Sequence, residues 1–135
     1  MERVRIGEVE LEYSIYGPGE PVLLIHGAQI ADAMRPLVAD TALQQFQTIL
    51  YHRRGYGGSS RPFGQTSTED HVRDAVGLLD SLAIPRAHVV GHSYGAMIAL
   101  ALAATHPTRL GRWPSWNHQP CPGRPGRPSS RPWRR

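Results

Sequence analysis

Five consecutive residues, Gly91-His92-Ser93-Tyr94-Gly95, have the types and spacing of a serine nucleophile site. The apolar stretch 88–90 before them predicts a short strand, and the Ala- and Leu-rich stretch after them predicts a helix. A serine at such a turn is held in a strained backbone conformation with its hydroxyl exposed. The turn also places the backbone N–H of Tyr94 at a helix N-terminus, where it can stabilise an oxyanion. The pattern predicts Ser93 as a nucleophile and Tyr94 as a backbone oxyanion donor.

The alternative for this motif is a buried serine in an ordinary strand-to-helix turn. A glycine-rich sequence also produces Gly-x-Ser-x-Gly by chance. However, the small residues Gly91, Gly95 and Ala96 flank Ser93 at the positions where a close pass of strand and helix requires them. Because a structural serine leaves these neighbours unexplained, the combination favours the nucleophile.

The surrounding sequence alternates strand and helix patterns. Further strands are predicted where apolar residues alternate or run together, at residues 3–6, 9–16, 22–25 and 48–51. Residues 30–43 predict a helix interrupted or offset by Pro36, and a capped amphipathic helix is predicted to begin within residues 66–70. Strands that alternate with helices predict an α/β fold, with a mostly parallel sheet and flanking helices.

Charge is distributed unevenly along the chain. Its 135 residues include 15 arginines, no lysine and 11 acidic residues, which gives a net charge of +4. Every acidic residue lies at or before Asp80, so the first 80 residues are slightly acidic and the basic excess lies mainly at the end. This distribution does not predict a specific nucleic-acid partner.

Cysteine content and apolar runs indicate the compartment. The single cysteine, Cys121, excludes an internal disulfide framework, and the charged residues 1–5 lack the apolar core of a signal peptide. The longest apolar run, residues 96–104, is too short to cross a bilayer. We therefore expect a cytoplasmic protein that does not contact membranes, with the oligomeric state left open.

Three segments, following a predicted hairpin, closely resemble the first half of α/β-hydrolase-fold enzymes. They are Val-Leu-Leu-Ile-His-Gly-Ala at 22–28, Tyr-His-Arg-Arg-Gly-Tyr-Gly-Gly-Ser-Ser at 51–60 and Val-Val-Gly-His-Ser-Tyr-Gly-Ala at 89–96. The resemblance covers about residues 3–110 and implies that residues 1–110 are the N-terminal part of a hydrolase domain. It further implies a serine hydrolase that acts on a small ester or related acyl substrate, with no cofactor and no metal.

The resemblance also implies roles for two residues near the end of the third predicted strand. Ala28 matches the position whose backbone N–H is the second oxyanion donor. His26 is expected to be a structural histidine that hydrogen-bonds the loop, because the family takes its catalytic base from much later in the chain. A serine rather than a carboxylate at position 93 favours acyl transfer to water over epoxide opening.

The loop Arg53-Arg54-Gly55-Tyr56-Gly57 has two interpretations. Its arginines and glycines could bind phosphate or nucleic acid, but the glycine spacing and the missing Lys-Ser/Thr ending do not fit a phosphate loop. We therefore expect a structural loop at the edge of the sheet.

The sequence after Ser93 lacks part of the machinery that a serine nucleophile needs. The family order is nucleophile, acid, histidine, yet His106 and His118 follow Ser93 with no Asp or Glu. Residues 111–135, which we call the tail, are rich in Pro, Arg and Trp and predict disorder.

The genetic code suggests how the tail arose. Residues 113–119 read one base earlier give apolar, Ala, apolar, apolar, Glu and two Pro or Ser, provided that Ser115 has a TCN codon. This is the pattern of a buried strand that ends in a carboxylate. We therefore interpret the tail as frameshift-derived, joined near Arg112, and expect the chain as given to be inactive. The alternative is a non-catalytic, partly folded fragment whose basic tail binds anions nonspecifically.

Overall fold

The computed structural model describes residues 1–111. The predictions that concern residues 112–135, namely a disordered and frameshift-derived tail, lie outside the described residues. The strands are β1 (Glu2–Ile6), β2 (Val9–Tyr16), β3 (Pro21–Ile25), β4 (Gln47–Tyr51) and β5 (His88–Gly91). The helices are α1 (Thr68–Ser81), α2 (Tyr94–Thr105) and two 3-10 helices, Ala31–Ala39 and Pro107–Arg109.

Five strands form one mixed sheet in the order β1-β2-β4-β3-β5. β1 and β2 make the predicted antiparallel hairpin, and β2 also pairs antiparallel with β4. β3 pairs in parallel with both β4 and β5. The predicted α/β fold is confirmed, and the carboxyl ends of β3, β4 and β5 meet at one edge of the sheet, where such sheets place their functional sites.

β3 occupies the centre of the parallel part and is buried on both faces. Leu23 and Ile25 pack into the larger core, which also contains residues of α1 and α2. Val22 and Leu24 face a smaller core on the opposite side, together with Met34. The continuous apolar run in the sequence is therefore explained by two cores on opposite faces of one strand.

The helix predicted over residues 30–43 is shorter and of a different type. The structure has a 3-10 helix over Ala31–Ala39, with Pro36 inside it and no side-chain cap at Ile30. Because Pro36 has no backbone N–H to donate, a regular α-helix cannot continue through it. None of the helices within residues 1–111 is long and apolar enough to cross a membrane.

β5 forms the open side of the sheet in the described part of the chain. Its outer edge meets only one parallel bridge, between Ala87 and Leu110, where the Gly111 N–H donates to the Ala87 carbonyl at 2.8 Å. In β5 and α2, Val90, Met97 and Leu100 are 42%, 62% and 72% exposed. Apolar side chains of the two elements that flank Ser93 in sequence therefore face solvent.

Candidate active site

Ser93 lies in a strained turn between β5 and α2. It has φ 53° and ψ −121°, directly before the first residue of α2. Positive φ is uncommon for a residue with a side chain and costs on the order of 1–3 kcal/mol. A side chain at Gly91 would overlap the Gly95 carbonyl and the Cα of Ala96. The predicted turn is present, and the small residues are needed for the predicted steric reason.

The end of β3 lies directly against this turn. The His92 N–H donates to the Ile25 carbonyl at 3.0 Å, and a side chain at Gly95 would overlap the same carbonyl. A Cβ added to Gly27 would lie 3.0 Å from the Ser93 Cβ. Ala28 is the next residue, so its backbone is held beside the serine.

Ala28 and Tyr94 contribute free backbone N–H groups at this place. Within residues 1–111, neither N–H has a hydrogen-bond acceptor, and both Ala28 and Ser93 are exposed. After Ala28 the chain makes a tight γ-turn, in which Gln29 has φ 78° and the Ile30 N–H donates to the Ala28 carbonyl at 3.1 Å. The three site residues predicted from the sequence thus come from two loops that lie together at the carboxyl edge of the sheet.

His26 has both ring nitrogens occupied. Its Nε2 accepts the Arg53 backbone N–H at 3.0 Å, so Nδ1 carries the proton and donates to the Gly27 carbonyl at 2.7 Å. Burial lowers the pKa of His26 to about 4, which keeps the ring neutral at pH 7. These contacts agree with the expected structural histidine that hydrogen-bonds the loop.

Arg53 joins β3, β4 and α1 at the centre of the site. Its side chain is fully buried, with Nε donating to the His26 carbonyl at 3.0 Å and Nη2 to the Gly27 carbonyl at 2.8 Å. Nη1 lies 2.9 Å from His71 Nε2. The guanidinium also lies over two aromatic rings, 4.6 Å from the centroid of Tyr56 and 5.2 Å from that of Tyr94.

His71 connects α1 to this arginine. Burial, and next the positive charge of Arg53, lower the pKa of His71 to about 4. Its Nε2 therefore accepts from Arg53, which leaves the proton on a buried Nδ1 that has no partner within residues 1–111. The neighbouring Tyr94 hydroxyl pairs with Thr68 Oγ1 at 3.0 Å, so α1 also holds the residue after Ser93.

The rest of the loop after β4 is fixed by carboxylates. His52 lies between Glu12 at 2.7 Å and Asp32 at 3.1 Å. The Gly58 N–H and His52 hold the pKa of Glu12 below its usual range. Arg54 makes a bidentate pair with buried Asp74, with its Nε at 2.6 Å. Both loop arginines are thus bonded within the fold, as expected of a structural loop rather than a phosphate site.

Sequence reasoning missed the central role of Arg53. The sequence showed two adjacent arginines after a buried strand, but nothing in it distinguished the buried Arg53 from the half-buried Arg54. The only available signal was position, since the first residues after an interior strand are the ones nearest the core. Within residues 1–111, no group of three His, Cys, Asp or Glu side chains is arranged to hold a metal ion.

The known proteins that this chain resembles are hydrolases. The profile of the family described as alpha/beta hydrolase fold matches residues 20–112. A 2-hydroxymuconate semialdehyde hydrolase of Pseudomonas putida is 40% identical over 99 residues, which are 71% of this chain and 35% of that protein. RutD of Azorhizobium caulinodans, named as a carbamate hydrolase, is 37% identical over 105 residues, 77% of this chain and 39% of that protein.

Solved structures give the same result. The enol-lactonase from Burkholderia xenovorans superposes with a TM-score of 0.76 at 32% identity, covering 81% of this chain and 44% of the lactonase. The chain thus spans less than half the length of the relatives it matches. Because the profile covers most of the chain and includes the Ser93 turn, the chain belongs to the α/β-hydrolase fold family.

Proposed function

We propose that Ser93, Ala28 and Tyr94 form the nucleophile and oxyanion half of a serine hydrolase centre, which transfers the acyl group of a small ester-like substrate to water. One observation carries this proposal. An exposed serine in a strained turn lies beside two backbone N–H groups that have no acceptor within residues 1–111. Strain and unpaired donors at the same place are features of preorganised catalytic sites.

The chemistry follows from these atoms. Ser93 Oγ attacks the carbonyl carbon of the substrate and loses its proton to a base, and the carbonyl oxygen becomes an oxyanion. The N–H groups of Ala28 and Tyr94 donate hydrogen bonds to that oxyanion. Collapse of the intermediate expels the protonated leaving group and leaves an acyl ester on Ser93. Water then cleaves this ester and regenerates the serine hydroxyl.

The base is not supplied by the buried histidines of the described part. His26 uses both ring nitrogens, His71 is bonded to Arg53, and His52 lies between two carboxylates. Because the family order puts the acid and the histidine after the nucleophile, we place the base and its orienting acid in sequence beyond residue 111 of an intact enzyme. The chain as given then has no serine-dependent turnover, because an unassisted serine hydroxyl is a poor nucleophile at neutral pH.

Two of the relatives' names support an acyl substrate, because a carbamate and a lactone are acyl compounds. The third name mentions a semialdehyde, and hydrolysis is common to all three. For this chain the proposal stops at a small acyl compound, processed in the cytoplasm without a cofactor.

A second function is favoured by the open side of the sheet. Exposed Val90, Met97 and Leu100 fit a non-catalytic, partly folded fragment. Nonspecific anion binding by its arginine-rich tail belongs to this alternative.

Ester hydrolysis separates the two functions. The 135-residue chain and a chain translated in the alternate frame from Trp113 are each compared with their Ser93→Ala variants. We expect turnover only in the alternate-frame chain, abolished by Ser93→Ala, with a fluorophosphonate label mapping to Ser93. Serine-dependent turnover by the 135-residue chain would show that the fragment is a working enzyme. A label on another residue would refute Ser93 as the nucleophile.

A further inference from the structure

Arg53 is a buried cation without a carboxylate partner in the described part of the chain. Its side-chain donors go instead to the carbonyls of His26 and Gly27 and to His71 Nε2. The neighbouring Arg54 has the ordinary solution, a bidentate pair with Asp74. Burying a charge without a counter-ion costs stability. The buried Arg53 and its choice of acceptors therefore need a reason other than stability.

The Gly27 carbonyl links Arg53 to the candidate oxyanion donor. This carbonyl and the Ala28 N–H belong to one peptide group, and no cis peptide bond occurs in the described residues. In a trans peptide the C=O and N–H point in opposite directions. The guanidinium and the His26 ring both donate to the Gly27 carbonyl, at 2.8 and 2.7 Å, so the Ala28 N–H is turned away from both.

We propose that Arg53 is a positioning residue for the oxyanion donor: it holds the Gly27 carbonyl and thereby fixes and polarises the Ala28 N–H beside Ser93. This inference rests on the proposed function for its catalytic meaning, but the effect on the Gly27–Ala28 peptide can be tested alone. A cation bonded to the carbonyl draws electron density from the peptide, which makes its N–H a stronger donor.

Arginine is suited to this task because of its geometry. Its planar fork reaches two successive carbonyls and an imidazole at once, whereas the lysine ammonium is a point charge on a flexible stem. Rings of Tyr56 and Tyr94 lie against the guanidinium and hold its plane. A lysine at position 53 would keep the charge but not the simultaneous hold on both carbonyls.

Backbone ¹⁵N relaxation in the 135-residue chain tests whether Arg53 fixes the position of the Ala28 N–H. We expect the Ala28 order parameter to be about 0.85 in the unaltered chain and below about 0.6 in Arg53→Met, with Arg53→Lys in between. Arg54→Met is the matched control, since Arg54 bonds Asp74 and not Gly27; it should leave Ala28 unchanged. Leu23 and Leu24 should stay ordered in every variant, which shows that β3 is folded.

A thiol at position 93 tests the donor strength without requiring a catalytic base. In a Cys121→Ser background, Ser93→Cys provides a single thiol, whose thiolate form reacts without a catalytic base. Acylation of this thiol by p-nitrophenyl acetate passes through an oxyanion, whereas alkylation by iodoacetamide does not. We expect Arg53→Met to lower the ratio of acylation to alkylation rates by about tenfold or more, and Arg54→Met to change it less than about twofold.

The outcomes separate this inference from the proposed function. If the ratio of acylation to alkylation for the Ser93→Cys chain is no higher than that of N-acetylcysteine, the proposed oxyanion role of the Ala28 and Tyr94 N–H groups is refuted. The Ala28 order parameter then still tests whether Arg53 fixes the Gly27–Ala28 peptide. An unchanged Ala28 order parameter in a folded Arg53→Met chain overturns the inference, and so does an elevated ratio that Arg53→Met does not alter. If Arg53→Met unfolds β3, the inference is tested in the unaltered chain by NMR. In that chain, the absence of a through-hydrogen-bond coupling between Arg53 Nη2 and the Gly27 carbonyl carbon overturns the inference.

Discussion

At the scale of single residues, the candidate site is built around two histidines that lose proton affinity on folding. Burial lowers the pKa of His26 and of His71 to about 4. Each ring accepts a hydrogen bond from Arg53, one from its backbone and one from its guanidinium. Protonation of either ring would remove an acceptor and place a second positive charge beside the arginine. The site therefore depends on neutral histidines.

The lowered pKa values predict acid sensitivity. In the unfolded chain both histidines take up protons near pH 6.5, whereas in the folded chain they do so only near pH 4. Between these pH values the unfolded state thus binds up to two more protons than the folded state. The free energy of unfolding therefore decreases as the pH falls, by at most about 2.7 kcal/mol per pH unit. We expect the urea midpoint to be unchanged by these groups above about pH 7 and to decrease from pH 6.5 to pH 4.

The His71→Gln variant provides the control for this pH dependence. A glutamine oxygen can accept from Arg53 but does not titrate, so the slope of stability against pH should fall by about half. Imidazole chemical shifts, followed by NMR, measure both pKa values directly. A His26 or His71 ring that titrates near pH 6.5 in the folded chain would contradict the prediction.

Single residues also show why part of the site could be predicted and part could not. Ser93, Gly91 and Gly95 were found because a strand-to-helix turn imposes steric requirements that leave a pattern in adjacent positions. Arg53 left no such pattern. Two of its three side-chain acceptors, the His26 and Gly27 carbonyls, belong to the backbone and lie 26 to 27 residues away, so no side-chain type identifies them.

At the scale of elements, α1 has the clearest local signal for the start of a helix. The sequence predicts a capped start within residues 66–70, and in the structure the cap is Ser67, whose Oγ accepts the Asp70 N–H at 3.1 Å. The Asp70 carboxylate accepts the Ser67 N–H in return at 3.0 Å, which completes a capping box. The cap matters to the site because α1 presents His71 to Arg53 directly after this first turn.

We expect Ser67→Ala to loosen the first turn of α1. Loss of an N-cap serine costs about 1 kcal/mol, which corresponds to about fivefold faster hydrogen exchange at the Asp70 amide. Thr66→Ala is the control, because Thr66 does not cap the helix. Equal exchange rates for Asp70 in the two variants would show that the cap does not hold this turn.

The elements were predictable where one local force dominates. Alternation gave the hairpin, continuous apolar runs gave β3 and β4, and capping residues gave the start of α1. The segment after β3 was harder, because its periodicity suits a helix while Pro36 removes a donor and no cap fixes its start. There the packing of Met34 against the smaller core decides the outcome, and that contact is not visible in the local sequence.

At the scale of the whole molecule, the two edges of the sheet differ. β1 forms one edge, and its Val4 and Ile6 pack against the larger core, while β5 forms the other, where Val90, Met97 and Leu100 of β5 and α2 are exposed. An exposed strand edge with apolar neighbours is a template for pairing with another chain. The relatives are more than twice as long as the part matched here, so they contain sequence that has no counterpart in the matched part of this chain.

We therefore expect the isolated chain to self-associate and to unfold with weak cooperativity. Val90→Lys should lower the self-association seen by sedimentation velocity, because a charge on an edge strand opposes pairing. Phe63→Lys is the matched control: Phe63 is a fully exposed apolar residue on the loop before α1 and is not part of β5. A monomer with a sharp, reversible two-state melt would refute the prediction.

The pairing of β3 with β5 also determines when the site can form during folding. This pair joins residues far apart in sequence: at its start, Glu20 and His88 make a contact across 68 positions. The chain must close that loop before the contact gives any stabilisation, whereas the hairpin and α1 form from neighbouring residues. We expect the loop carrying Ala28 and the turn carrying Ser93 to meet only in a late step. A probe of Ser93 reactivity would then report the completion of folding rather than its beginning.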